Sequence, residues 1–234
     1  MLEQVLTEGF AALGITPDAD ALPRFRLYYE RLTEQNRVMN LTAISGEEDT
    51  ARLHFLDSAA LLKLTTFEGR RVIDVGTGAG FPGLALKIAC PSLELTLLDS
   101  LDKRVQFLSS LCGELGFPDV ICLHARAEEA PGELRESFDI ACSRAVARLN
   151  LLSELCLPFV KVGGQFLAMK GPGAEQEADE AEAAITQLGG RLARLAAYPI
   201  PGTDTRHSAV VIDKLRPTPK KYPRRWAQIK KQPL

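Results

Sequence analysis

Residues 72–83 read Val-Ile-Asp-Val-Gly-Thr-Gly-Ala-Gly-Phe-Pro-Gly, and no other segment limits the fold of this chain as much. A short apolar run leads straight into glycines at 76, 78 and 80, and Pro82 opens a stretch of helical character. Strand, glycine turn and helix start in immediate succession make the first βα unit of a doubly wound sheet. Glycine admits positive φ and lets a ligand approach the backbone, while a helix start presents unpaired N–H groups. The segment therefore predicts a ligand site at the carboxyl end of a parallel strand.

The acids around the loop narrow the ligand. Gly78-x-Gly80-x-x-Gly83 formally matches the dinucleotide fingerprint. Asp74 speaks against it, because a carboxylate inside the strand two residues before Gly76 faces a pyrophosphate badly. It can instead bind, directly or through water, the cationic amino group of a methionine moiety. Asp99 closes the next apolar run, 19 residues after Gly80, where an acid accepts bonds from ribose hydroxyls. Either cofactor carries that ribose, so Asp99 reports adenosine without choosing. Gly76, Thr77, Gly78, Gly80 and Phe81, with Asp74 and Asp99, predict S-adenosylmethionine as the cofactor. Arg126-Ala127-Glu128-Glu129 follows the third apolar run, where adenine edges are read in such folds.

Beyond Arg71 the chain alternates. Apolar runs at Val72–Val75, Leu95–Leu98, Val120–Leu123, Asp139–Ser143 and Gln165–Met169 predict buried parallel strands. Helical patterns fall near Pro82–Ile88, Leu101–Leu115 and Leu151–Val160. Gly189–Pro199 and Arg206–Ile212, joined by Pro-Gly-Thr-Asp, predict a closing hairpin. The first 65 residues read as helical. Thr16 is placed to cap a helix with Pro17 in its first turn and Leu22, Phe25, Tyr29 and Leu32 along one stripe. Ser45 and Glu48 fit a capping box for a second helix through Leu53, Leu56, Leu61 and Leu62. The predicted class is α/β: a Rossmann-like class I methyltransferase fold with a mostly parallel sheet ending in an antiparallel hairpin. A helical cap (1–66) precedes the Rossmann-like domain (67–214), and a basic tail (215–234) follows it.

Charge is divided unevenly. Of the 28 Lys and Arg, eight lie between Lys214 and Leu234 with no acid among them, leaving 20 against 30 Asp and Glu elsewhere, a net −10. A basic, proline-studded arm on an acidic body suits a polyphosphate partner. Tyr222 and Trp226 offer faces on which a base could stack. No apolar run approaches the roughly 20 residues of a membrane-spanning helix. The five cysteines lack CxxC spacing and fit free thiols in a reducing compartment, with no metal site expected.

Asn40-Leu41-Thr42, His54-Phe55-Leu56-Asp57-Ser58, the glycine loop, Ser143-Arg144-Ala145-Val146-Ala147, Met169-Lys170-Gly171 and Pro219-Lys220-Lys221-Tyr222-Pro223-Arg224-Arg225 occur in that order. With these motifs the chain resembles the bacterial small-subunit ribosomal RNA guanine-N7 methyltransferases, also called the glucose-inhibited division protein B family. The resemblance implies that Gly76, Phe81, Ala127, Glu128 and Arg144 contact S-adenosylmethionine. It places Asn40, Arg126, Lys170, Arg206 and His207 near the transferred methyl or the RNA, with Lys220, Lys221, Arg224 and Arg225 as further RNA contacts. It also implies 16S ribosomal RNA or the small subunit as partner, a cytoplasmic monomer, and no obligate protein partner.

Chemistry adds a role for two residues. Guanine N7 has a free lone pair, so its methylation is a direct displacement that needs no general base, only positioning. O6 beside N7 is a natural target for Arg or Lys. Arg144 and Lys170, at the ends of the fourth and fifth strands, are the candidate catalytic residues. His54 can pin the helical cap to the core. A protein or small-molecule methyltransferase would leave the basic tail unexplained, an oxidoreductase would need a hydride-handling constellation that is not evident, and a non-catalytic sensor would not need Arg144 and Lys170.

Overall fold

The computed structural model describes residues 1–130, 132–144 and 147–234. Five parallel strands, β1 (Arg71–Val75), β2 (Glu94–Asp99), β3 (Ile121–His124), β4 (Phe138–Arg144) and β5 (Val160–Lys170), are joined by the antiparallel pair β6 (Gly190–Pro199) and β7 (Arg206–Lys214). Their order is β3-β2-β1-β4-β5-β7-β6, so the direction of winding reverses between β1 and β4. Ligands in open α/β sheets bind outside the carboxyl ends of the strands at that switch point. Val75, Asp99, His124, Arg144 and Lys170 all end strands on this one edge.

α5 (Gly83–Ala89) and α6 (Asp102–Glu114) cover one face of the sheet, and α7 (Leu149–Cys156) and α8 (Ala174–Gln187) cover the other. The acidic, alanine-rich segment forming α8 carries no expectation from the sequence. Its apolar positions are small alanines (178, 181 and 184, with Ile185), a weak hydrophobic signal even though they are buried.

The cap comprises α1 (Leu2–Leu13), α2 (Ala21–Met39) and a continuous helical segment 47–63. That segment passes from α3 (Glu47–Thr50) through a π turn (Ala51–Leu56) and α4 (Asp57–Ala59) to a 3-10 turn (Ala60–Lys63). Two expected caps are corrected. α2 starts at Ala21, not Pro17, because Asp18 turns the chain first, accepting from the N–H of Asp20 on its side chain and of Ala21 on its carbonyl. Gly46, at φ 88°, takes the N-cap of α3, so Ser45 caps nothing and Glu48 bonds Arg52 instead. The fully buried stripe of α2 is Ala21, Phe25, Tyr28 and Leu32, while Leu22 and Tyr29 of the expected stripe pack half-buried against the same cluster.

Cap and sheet share one hydrophobic cluster. Phe25 packs on Phe55 at 4.7 Å, and Tyr28 on Phe81 at 5.2 Å, in the glycine turn. The tail is packed too. From Lys214 it crosses to α8, where Thr218 is buried and its hydroxyl donates to the Leu188 carbonyl. It then returns along α7 through Tyr222, 3% exposed, and a last helix α9 (Trp226–Lys231) whose Ile229 is buried. Tyr222 therefore fills the core beside Ile229 and offers no stacking face, while Trp226 is half-buried.

Candidate functional site

Asp74 organises the glycine loop. It is fully buried, and its Oδ2 accepts from the Thr77 hydroxyl (2.7 Å) and the Gly83 N–H (2.8 Å), clamping both ends of the turn. A Cβ at Gly83 would lie 2.8 Å from the Asp74 Cβ, so only glycine lets the helix start this close. Gly80, at φ +104°, accepts no side chain either: a Cβ there would meet the Tyr28 hydroxyl at 2.4 Å. That hydroxyl donates to the Ala79 carbonyl at 2.6 Å, so the cap braces the loop from outside.

The expectation of free N–H groups in the loop is corrected. Gly76 and Thr77 donate to Leu98 O, Gly78 to Asp99 Oδ2, Gly80 and Phe81 to Thr77 O, and Gly83 to Asp74. Pro82 has no N–H. A pyrophosphate would find an acid at the helix start and these donors already spent. The dinucleotide reading fails on this ground.

What the turn does offer is a pocket of about 420 Å³, lined by Leu41, Thr42, His54, Gly76–Ala79, Phe81, Asp99, Ser100, Arg104 and Arg144. Asp99 is buried, with Oδ2 on Gly78 N and Oδ1 on Leu101 N, each at 2.9 Å. Arg104, also on the pocket wall, stands 3.5 Å from Oδ2. With two lone pairs per carboxylate oxygen, Oδ1 retains one for a ribose hydroxyl, and Oδ2 can accept another where Arg104 gives way. The second oxygen of Asp74, Oδ1, is buried and unpartnered among the described residues. Burial raises this carboxyl to about pH 6, and a cationic partner would hold it charged. Ala125 donates to Asp99 O, so Ala127 and Glu128 follow two and three residues beyond a contact with Asp99, but they, like Asp74, are not among the residues lining the pocket. Glu128 Oε1 is likewise buried and has no hydrogen bond, with Arg126 3.7 Å away. The unpartnered Asp74 oxygen and the strand-end acid Asp99 suit an adenosine bearing a cationic amino-acid end.

Arg144 closes the opposite wall. Its guanidinium lies over Phe81 at 4.8 Å, donates Nη1 to Leu53 O (3.1 Å) and Nη2 to His54 Nδ1 (2.9 Å). His54 stacks on Phe81 at 4.3 Å. Burial, then the Arg144 charge, pushes its imidazole down to about 3, so it is neutral. With Nδ1 accepting from arginine, Nε2–H donates to the Thr42 hydroxyl at 2.8 Å. Thr42 is held from the other side by both ends of the Asn36 amide. Asn40, left-handed at φ 48° and exposed, starts the turn over the pocket.

Of the other predicted residues, Lys170 is 7% exposed on its side chain and bonds Ala147 O (2.6 Å) and Glu177 (2.9 Å). It braces the loop after Arg144, whose Ala145 and Val146 lie outside the described residues, and does not line the pocket. Arg206 is exposed at the start of β7, and His207 beside it bonds Asp57 Oδ1 at 3.0 Å, which raises its imidazole above the ordinary value. Arg126, Lys220, Lys221 and Arg225 are exposed. Arg224 differs: its backbone N–H and guanidinium enclose the carboxylate of Glu154, which is 0% exposed. Tyr28, Asp57 and Tyr198 belong to the site's support and were not singled out by sequence. Asp57 and His54 fall within one motif, and that spacing was the available signal.

The model of the rRNA small subunit methyltransferase G family matches residues 21–201. The chain is 45% identical over 226 residues to Ribosomal RNA small subunit methyltransferase G of Clostridium perfringens (strain 13 / Type A), covering 95% of each. It is 46% identical over 235 residues to the same-named protein of Alkaliphilus metalliredigens, covering 99% of this chain and 98% of that one. Among solved structures, a SAM dependent methyltransferase from Aquifex aeolicus matches with a TM-score of 0.53 at 20% identity, over 70% of this chain and 92% of that one. M. jannaschii TYW2 in complex with AdoMet matches with a TM-score of 0.54 at 13% identity, over 69% and 76%. These structural likenesses carry the fold.

Proposed function

Because the chain belongs to the rRNA small subunit methyltransferase G family, we propose that it uses S-adenosylmethionine to methylate guanine N7 in the RNA of the small ribosomal subunit. The observation that carries the reading is the pocket at the sheet's switch point, walled by Gly76–Ala79, Asp99 and Arg144. Asp99 would hold the ribose, Ala127 and Glu128 the adenine edge, and Asp74 Oδ1 the amino group. S-adenosylmethionine supplies a methyl on a positively charged sulfur, which a lone pair can displace directly.

The residues present suit such a displacement. Neutral His54 is held between Arg144 and Thr42, with both ring nitrogens engaged, so it is not free to act as a base. None is needed for N7. Arg144, held over Phe81, presents a fixed charge at the pocket wall to guanine O6 or a phosphate while the base is positioned. Lys170 supports the loop after it. Asn40, Arg126, Arg206 and His207 rim the same edge, and Lys220, Lys221 and Arg225 supply charge for the RNA backbone. Incubation with tritiated S-adenosylmethionine and small ribosomal subunits, then nucleoside separation, should put the label in 7-methylguanosine. Label in another nucleoside, or in protein, overturns the proposal.

A further inference from the structure

Arg144 enters the pocket from the end of β4, but the atoms that fix it come from a segment more than 80 residues earlier. Nη1 bonds Leu53 O, Nη2 bonds His54 Nδ1, and Asp57 Oδ2 lies 3.6 Å from Nη1. Asp57 is 1% exposed. Its other oxygen accepts from the Tyr198 hydroxyl and His207 Nδ1, each at 3.0 Å, and those two residues are direct partners across β6 and β7. One carboxylate thus joins the cap, the end of β4 and the closing hairpin. A buried carboxylate needs such partners. At 3.6 Å the approach to Arg144 is an ion pair rather than a short hydrogen bond, while one of the two Nη1 hydrogens goes to Leu53 O.

Resting on the function proposed above, we propose that Asp57 is a positioning residue for methyl transfer: through Oδ2 it sets the orientation of the Arg144 guanidinium over Phe81, and so the direction its pocket-facing N–H groups take. His54 grips the second nitrogen without adding charge. The bland alternative makes Asp57 a latch between cap and hairpin that touches the reaction only through folding.

Asp57→Asn keeps the size and separates the two. Methyl transfer to small subunits is measured with kcat and KM resolved, alongside calorimetric S-adenosylmethionine affinity and thermal melting. Asp57→Asn should lower kcat on the order of tenfold to a hundredfold with KM for RNA little changed. In an Arg144→Ala background the same substitution should change the rate less than about twofold, because its target is gone. Losses that multiply in the double variant overturn the proposal in favour of the latch. Independently of how any variant folds, ¹⁵N spectra of the wild-type protein should resolve the Arg144 Nη signals separately, as for a guanidinium unable to rotate. A single averaged signal overturns the proposal as well. Should the wild-type protein transfer no methyl, the functional reading fails, while spectra and calorimetry still judge Asp57.

Discussion

Replacing Arg224 by Met should damage stability far more than RNA affinity. Glu154 is wholly buried in α7, and its carboxylate is met by three donors of one residue: Arg224 N at 2.8 Å, Nε at 2.9 Å and Nη2 at 2.6 Å. The guanidinium side chain is 20% exposed, so the pair is only weakly screened. Methionine keeps the backbone donor and removes the cation, stranding a negative charge in the second hydrophobic cluster. Breaking a buried pair from one side costs about 3–5 kcal/mol. In a chain of this size that corresponds to a fall in Tm of roughly 6–20 °C, at 2–4 °C per kcal/mol. Urea denaturation followed by circular dichroism measures the loss. Adding Glu154→Leu to Arg224→Met should recover most of it, since an apolar pair of similar volume is commonly neutral. A single-variant loss below about 1 kcal/mol, or a double variant no better than the single, would refute the claim that Arg224 is consumed by Glu154.

Asp99→Ala removes two ribose acceptors, each worth roughly 1.5–3 kcal/mol, so calorimetric S-adenosylmethionine affinity should fall at least ten- to a hundredfold. Tm should fall too, because Gly78 and Leu101 lose their acceptors; unchanged affinity removes Asp99 from the ribose site. His54 stays unprotonated in the fold down to about pH 3, whereas the unfolded chain takes up that proton near 6.5. It therefore costs stability as pH falls through 6.5, about 2 kcal/mol by pH 5. Asp74, at about 6, acts in the opposite sense, so the comparison is between wild type and His54→Gln, whose urea midpoints should converge in acid; parallel pH profiles disprove it. Changing Lys220, Lys221 and Arg225 to Ser leaves the packed tail intact and should reduce the slope of log RNA affinity against log salt by roughly 2–3 units. An unchanged slope means the tail makes no phosphate contacts.

The parallel strands were legible from their short apolar stretches, except the first half of β5. Lys161, Gly163 and Gly164 interrupt it, so Val160 was assigned to the preceding helix, which ends at Cys156. The glycine turn was legible because its residues leave few alternatives. The hairpin was legible from Pro-Gly-Thr-Asp. α8 was missed because alanine scores weakly as a core residue. The caps at Thr16 and Ser45 were misplaced because residues close by offered competing starts: Asp18 turns the chain so that Asp20 becomes the N-cap of α2, and Gly46 at positive φ becomes that of α3. At the site, residues adjacent to the loop were readable and Asp57 lay in a motif with His54, but Tyr28 and Tyr198 act across long sequence separations, and a lone Tyr carries no such signal. The tail misled most: Arg224 and Tyr222 look like their exposed neighbours, and only tertiary packing shows that they serve Glu154 and the core.

The closure of Asp57 on Tyr198 and His207 spans 141 and 150 residues. On a ribosome delivering roughly 5–20 residues per second, on the order of ten seconds separate the emergence of the cap from that of its last partners. Once β4 has emerged, the guanidinium of Arg144 still awaits the hairpin that completes the hold on Asp57. The hairpin's hold on Asp57 is thus the last part of the Arg144 seat to form, after every pocket-lining residue from 41 to 144 has been made.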